Sequence, residues 1–303
     1  NFTQADGLAG KAVGAIWGAE KNKGVQGISG GDLWFATDNG VSRYDGKGFK
    51  NFKAEDSNLI SNNVFSVYRH SRTGHIWFGT DSGVVQYNPR EDRFQIYIQK
   101  EHRKQNVATL PDDQINGISE DKNGALWFAT NGGVARLQNK RIDRVLTTSD
   151  GLPNHRVHTI YTAPNGNLWF GTEGGVAYYN GTEVSMTLTQ KDGLISNSVR
   201  SIYRDTEGIM WFGTHSGTSD ISDISGVSRY DGQGFSTFTT QDGLSESHVN
   251  AINGTTDGLI WFGTLGGGIS SYNEKGAVNF TTKDGLGNDR ISCIREHNGI
   301  MWI

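Results

Sequence analysis

The sequence of 303 residues has one cysteine, Cys293, four prolines and no long hydrophobic run. A lone cysteine excludes an intrachain disulfide, and it suits a cytosolic or a bacterial periplasmic chain equally. Scarce proline argues against collagen-like or low-complexity composition, where proline accompanies glycine. The apolar stretches fall far below the roughly 18 residues of a membrane span. No signal peptide is visible. Charge of either sign is modest: 28 Lys and Arg against 32 Asp and Glu leave a net of −4. That balance gives no global case for nucleic acid or a membrane surface as partner.

What is present is glycine and aromatics: 42 Gly with 8 Trp, 14 Phe and 10 Tyr. Seven tryptophans recur in one local context, at Trp34, Trp77, Trp127, Trp169, Trp211, Trp261 and Trp302. Their spacings are 43, 50, 42, 42, 50 and 41. Trp17 stands outside the series. A period near 45 with an aromatic motif in each unit signals a propeller or a solenoid. Each unit divides into four short segments, labelled a to d. In the fifth, a is Val199 to Tyr203, b is Ile209 to Thr214, c is Gly226 to Tyr230 and d is Phe235 to Thr239. The segments are β-branched and aromatic, bounded by Asp, Asn or Gly. No sustained 3.6-residue period occurs, so almost no helix is expected.

Four such strands form an antiparallel meander that needs cover on both faces, and radial stacking supplies it. The tryptophans on strand b then read as inter-blade core. The longer units place their excess at Lys100 to Pro111 and Thr218 to Ser225. Such inserts suit a binding face or a neutral surface equally.

The ends suggest how the array closes. Asn1 to Gln4 matches the outer strand Phe238 to Gln241, and Asp6-Gly7-Leu8 matches Asp242-Gly243-Leu244. Ile291 to Glu296 and Ile300 to Ile303 match strands a and b. The expectation is an all-β fold: a seven-bladed β-propeller of four-stranded antiparallel blades. It would be one domain over 1–303, its last blade shared between the two termini. Strand c of that blade is missing, so the chain is expected to continue by about fifteen residues as part of a longer protein.

The repeats also separate scaffold from variable positions. On strand a, Ala15, Ser66, Gly117, Thr159, Ser201, Ala251 and Cys293 are all small, a packing constraint. Cys293 therefore reads as a small core residue rather than a nucleophile. The preceding position varies: Gly14, Phe65, Asn116, His158, Arg200, Asn250 and Ser292. So does the strand entrance: Ala12, Asn63, Gln114, Arg156, Ser198, His248 and Arg290. These face the expected channel mouth, as do the b–c turn residues Asp38, Asp81, Asn131, Glu173, His215 and Leu265. Ligand-binding candidates are Phe65, Arg156, His158, Arg200, His215, His248, Asn250 and Arg290. The arginines, with Lys11 beside them, suit a carboxylate, sulfate or phosphate, or else pair with neighbouring side chains. His155, His158, His215 and His248 could gather at this end, but their spacing supports no metal assignment. No cofactor and no catalytic residue is assigned.

Other motifs are weak. Asp121 to Gly124 resembles the start of a calcium loop but lacks the later carboxylates, so it reads as the a–b turn. Asp220 and Asp223 read as loop residues.

Asn123-Gly124-Ala125-Leu126-Trp127-Phe128-Ala129-Thr130-Asn131-Gly132-Gly133-Val134 resembles the two-component regulator propeller repeat. So does Asp192-Gly193-Leu194-Ile195-Ser196-Asn197-Ser198-Val199. The likeness covers nearly the whole chain. It implies a ligand-binding, non-catalytic sensor, periplasmic or otherwise extracytoplasmic, of a bacterial two-component signalling protein. It also implies a small-molecule or oligosaccharide ligand, and a membrane span with a histidine kinase or other output module in the full-length chain. The arginines would favour an acidic ligand, and a homodimer is possible in such a sensor. Two alternatives remain. Streptogramin lyases share the propeller and use a histidine-dependent, magnesium-assisted site, but no clear run of their catalytic residues occurs here. A protein-interaction platform would use exposed strand d aromatics such as Tyr97.

Overall fold

The computed structural model describes residues 2–18, 32–98, 109–216, 224–255, 257–273 and 275–303. Two compact units form, residues 2–147 and 148–303. Most of the insert at Lys100 to Pro111 and of that at Thr218 to Ser225, with Asp220 and Asp223, lies outside the described residues.

The first unit holds three four-stranded meanders. Their strands a to d are Val13–Gly18, Leu33–Thr37, Gly40–Tyr44 and Phe49–Phe52 in the first blade. The second has Val64–Arg69, Ile76–Thr80, Gly83–Asn88 and Arg93–Ile98. The third has Ile115–Glu120, Leu126–Thr130, Gly133–Gln138 and Arg141–Leu146. The second unit repeats the plan. The fourth blade has Val157–Thr162, Leu168–Thr172, Gly175–Tyr179 and Val184–Leu188. The fifth has Ser198–Arg204, Met210–His215, Val227–Tyr230 and Phe235–Phe238. The sixth has Val249–Gly254, Ile260–Thr264, Ile269–Asn273 and Gly276–Phe280. Helix among the described residues is limited to single turns, and none is long and apolar enough to cross a membrane.

Among the described residues this all-β propeller has six four-stranded blades, which corrects the expectation of seven. The seventh tryptophan lies in a two-stranded hairpin, Arg295–His297 with Ile300–Trp302, and these strands pair only with each other. Among the described residues the N-terminal segment supplies no strand to that hairpin. Phe2 packs on Tyr44 at 4.8 Å and Phe49 at 5.0 Å, against the first blade. Gln4–Asp6 is a single turn capped by Thr3 and Asp6, repeated at Thr189/Asp192, Thr239/Asp242 and Thr281/Asp284. The match of Asp6-Gly7-Leu8 to the d–a connection therefore stands, while the expected shared blade does not form.

Strand b is the sheet interior. Trp and Phe are neighbours in sequence, so they project to opposite faces of their blade. Within each unit a Trp then meets the Phe of the next blade. Trp34 lies 5.7 Å from Phe78 and Trp77 lies 6.3 Å from Phe128. Trp169 lies 6.0 Å from Phe212, and Trp211 lies 5.9 Å from Phe262. Each such ring pair contributes about 0.5–1.5 kcal/mol beyond its area burial. The tryptophans named here are inter-blade core, as expected. Tyr97 belongs there too: it meets Trp77 edge-on at 4.6 Å, half-buried, and so is no free anchor.

The residue after the Phe faces the next strand a. A Cβ at Gly213 would sit 2.4 Å from Ser201 Oγ and 2.8 Å from Val249, contacts no real Cβ makes. The small residues of strand a lie directly opposite: Ser66 pairs with Gly79, Thr159 with Gly171 and Ser201 with Gly213. Where strand b carries Ala36 or Ala129, the partner is Ala15 or Gly117. The final Thr closes the b–c connection. Its hydroxyl donates to a glycine carbonyl at 2.7–3.0 Å in all six blades, from Thr37, Thr80, Thr130, Thr172, Thr214 and Thr264.

Strand c locks the incoming connection. Ser42, Ser228 and Ser270 accept the amides of Ala9, Ile195 and Ser245 at 2.9–3.0 Å. The third and fourth blades have Pro111 and Pro153 at the matching connection position, with no N–H to offer, and strand c there carries Ala135 and Ala177. Donor and acceptor are present together in the first, fifth and sixth blades and absent together in the third and fourth, since a buried unpaired polar group is costly. The second blade departs from this, with Ile60 at the connection position and Val85 on strand c.

Ser228→Ala should therefore destabilise the protein by about 1–3 kcal/mol in urea unfolding, by orphaning the Ile195 amide. Ala177→Ser should destabilise it as well, because Pro153 cannot donate to the new hydroxyl.

Candidate functional site

Every strand a contains a β-bulge against strand b. The register slips between Val13 and Ala15, Val64 and Ser66, and Ile115 and Gly117 in the first unit. It slips between Val157 and Thr159, Val199 and Ser201, and Val249 and Ala251 in the second. The extra residues are Gly14, Phe65 and Asn116, then His158, Arg200 and Asn250. These are the variable positions of the sequence. A bulge leaves one residue out of the ladder and re-aims its side chain, so packing no longer dictates its type.

In the first unit the row is sparse. Gly14 has no side chain, and Phe65 beside it is 36% exposed. Asn116 donates to Asn131 Oδ1 at 3.0 Å, and Asn63 donates to Asp81 at 2.8 Å. Asp38 accepts the amides of Lys11 and Ala12 at 2.8 and 3.1 Å.

The second unit concentrates charge. His158 Nε2 donates to Glu173 Oε2 at 2.6 Å. Arg200 donates to His158 Nδ1 at 3.2 Å and to the same Glu173 oxygen at 3.3 Å. With Arg200 as donor, His158 Nδ1 must carry a lone pair, so the ring is the neutral Nε2–H tautomer. Its pKa is pushed down to about 4, by burial first and then by the Arg200 charge, against the pull of Glu173. Burial alone would raise the Glu173 carboxyl, but His158 and Arg200 outweigh it and hold it below its ordinary value. Burial lowers Arg200, and Glu173 offsets part of that. Arg200 is thus neutralised locally rather than presented as a bare cation.

His215 and His248 form a second cluster in this unit, with ring centroids 4.3 Å apart. His215 Nδ1 donates to the Ser216 carbonyl at 2.7 Å, and burial lowers its pKa. His248 lies between Glu246 and Ser216. Asn250 donates to the Ile291 carbonyl at 3.2 Å. Arg156, Arg290 and His155 are exposed, and the first two have their amides held by Asn154 and Asn288 at 2.9 Å. Thus the four histidines do not converge. Among the described residues no group of three or more His, Cys, Asp or Glu is arranged to hold a metal. The Cys293 thiol, half-buried, is pushed up to about 12 by burial. Asp121 accepts the amides of Asn123 and Ala125 and the Trp127 indole at 2.9–3.1 Å, a turn rather than a calcium loop.

Sequence reasoning named Glu173 only as a turn residue and missed Ser216 and Glu246. Their signal lies in the repeats. The residue two before the strand entrance accepts the entrance amide through Ser61, Asp112, Asn154 and Asn288. Glu246 does the same for His248 at 3.0 Å, with a longer carboxylate. A separate groove of about 910 Å³ runs along the a–b and c–d turns of the fifth and sixth blades, bordered by Tyr203, Glu207, Arg229, Asp257 and Lys275.

The His158 pKa sets a sign for pH dependence. Between about pH 6.5 and pH 4 the unfolded chain takes up a proton that the folded ring refuses. Folding stability should therefore fall as pH drops through this window. His158→Gln should flatten that part of a stability–pH curve measured by urea unfolding.

Residues 109–132, 151–174 and 193–216 match the two-component regulator propeller family. Among solved structures, the chain is similar to the extracellular domain of a hybrid two-component system from B. thetaiotaomicron. Identity is 25% and the TM-score 0.78, over 97% of this chain and 38% of that one. A second such domain from the same organism shares 18% identity at a TM-score of 0.62, over 96% and 46% of the two chains. Virginiamycin B lyase from Staphylococcus aureus, solved with quinupristin, shares 17% identity at a TM-score of 0.69, over 97% and 90%. At 17–18% identity these last two likenesses speak for the fold alone. The chain spans less than half the length of either extracellular domain. No curated protein matches it.

Proposed function

Because the chain carries repeats of the two-component regulator propeller family, we propose that it is the extracytoplasmic sensor propeller of a bacterial two-component signalling protein. It binds its ligand without catalysis. The observation that carries this reading is the bulge row. Six structurally equivalent positions are freed from packing, and they hold five residue types rather than one repeated residue.

The ligand is a small molecule or oligosaccharide with an acidic or polyhydroxyl group. His158, Arg200 and Glu173 offer it a fixed donor and acceptor set in the second unit. An incoming carboxylate can replace one contact of the Arg200 fork, whose planar geometry suits bidentate pairing. The pre-formed hydrogen bonds restrict these side chains before binding, which lowers the ordering cost. Signal then passes by rigid-body movement or altered dimer packing to a histidine kinase or other output module in the full-length chain. The lyase reading rests on fold alone.

Thermal-shift measurements with a panel of neutral and uronate-containing oligosaccharides test this. Uronate-bearing members should raise the melting temperature of the wild-type protein. Arg200→Glu should weaken their binding at least tenfold. Panel members that stabilise both proteins equally, or none that stabilises either, would overturn the assignment of this site.

A further inference from the structure

The second histidine cluster has a geometry that ligand binding does not require. Glu246 Oε1 accepts from His248 Nδ1 and also from the His248 amide at 3.0 Å. The other oxygen, Oε2, accepts the Leu265 amide at 3.2 Å. The carboxylate is therefore held from both sides. With Nδ1 donating to Glu246, Nε2 carries the lone pair, and it lies 2.7 Å from Ser216 Oγ. The Ser216 hydroxyl thus points its proton at a base whose orientation a carboxylate fixes. His215 anchors the Ser216 carbonyl and packs beside the His248 ring. His248 and Glu246 side chains are 28% and 27% exposed, so the group is reachable.

From this geometry we propose that Ser216 is an activated nucleophile that accepts an acyl group from an ester-type carbonyl, with His248 as its base and Glu246 as the positioning residue. The arrangement is that of nucleophile, base and orienting group in acyl transfer. The Ser216 Oγ–H bond breaks and its proton passes to His248 Nε2 as Oγ bonds to the carbonyl carbon. The carbonyl π pair moves onto oxygen. On collapse the carbon–alkoxy bond breaks, and His248 returns the proton to the leaving alkoxide. The products are an acyl ester on Ser216 and a free alcohol. The step is stoichiometric, so it asks no turnover of the protein. His215, lowered by burial, stays neutral near neutral pH and opposes no transient charge on His248.

Two features set this apart from a loop tether. At the equivalent position Ser61, Asp112, Asn154 and Asn288 hold the entrance amide with a shorter side chain. Only the sixth, among the described residues, carries a glutamate there, and it reaches an imidazole. The relay also spans two blades, so Ser216 and His248 are brought together by packing rather than by local sequence.

The test uses the protein with p-nitrophenyl acetate and with a fluorophosphonate probe. One equivalent of nitrophenolate should appear as a burst, with one acetyl group on Ser216 by peptide mass spectrometry. Ser216→Ala and His248→Gln should abolish the adduct at this residue. Glu246→Gln should slow acylation at least tenfold while leaving the melting temperature unchanged, a split that a purely structural role would not give. Absence of the adduct in wild type, or labelling that persists in Ser216→Ala or proceeds at full rate in His248→Gln, would overturn the proposal. Acylation of Ser216 in a protein that no uronate-bearing oligosaccharide stabilises would overturn the sensor assignment alone, so the two readings fail separately.

Discussion

The contact on which this architecture depends is the one, made within each unit, between a strand b tryptophan and the phenylalanine of the following strand b. Both rings come from one dipeptide, and the two-residue period of a strand sends them to opposite faces. The motif is therefore complementary to itself. A blade that presents Trp on one face presents Phe on the other, and the next copy fits without any new invention. Trp34 on Phe78 and Trp211 on Phe262 are the same contact in the two units. The glycine or alanine that follows lets the next strand a approach, and the threonine seals the turn. Four consecutive residues thus supply face, opposite face, spacing and closure.

This economy explains what was legible in the residues. The tryptophan period, the small position on strand a and the four segments per unit follow from local chemistry, and the structure repeats them. The blade count did not follow. Trp302 carries the motif, but a motif is one strand, and only strands c and d make it a blade. The N-terminal Asn1 to Gln4 and Asp6 to Leu8 matched the outer strand and its connection as a string. Phe2 instead found the aromatic surface of Tyr44 and Phe49, a tertiary preference invisible in alignment of the units. The exchange of Ser228 and Ala177 with Ile195 and Pro153 was visible in principle. It needed only the question of which amides exist to be satisfied.

The candidate site shows the same division. Variation at His158, Arg200 and Asn250 could be read directly, but its cause could not. The cause is an added residue per strand, and a bulge is a property of pairing rather than of residue type. Once that residue leaves the ladder, burial of its flanking neighbours, such as Val199 and Ser201, fixes its position while its identity stays open. The sequence also presented the arginines as a basic surface. Arg200 is instead held by Glu173, a turn residue of the preceding blade, through a neutral histidine. Charge counted along a chain misses such pairing because partners sit 27 and 42 positions apart.

A repeat protein acquires chemistry most cheaply where a scaffold duty tolerates a larger side chain. The position two before a strand entrance accepts one amide at Ser61, Asp112, Asn154 and Asn288. Glutamate discharges the same duty at Glu246 and has a second oxygen left over. That oxygen is tied to the Leu265 amide, and the first is shared with an imidazole. Neither bond disturbs the fold, because the amide contact is kept. The same logic governs Glu173, which occupies a b–c turn whose counterparts Asp81 and Asn131 accept from neutral amides. In both places the change is of reach and charge, on a frame that the tryptophan–phenylalanine contacts hold fixed. Polar groups so anchored need little further ordering when a ligand arrives, and that gives two glutamates of the second unit their leverage over the histidines beside them.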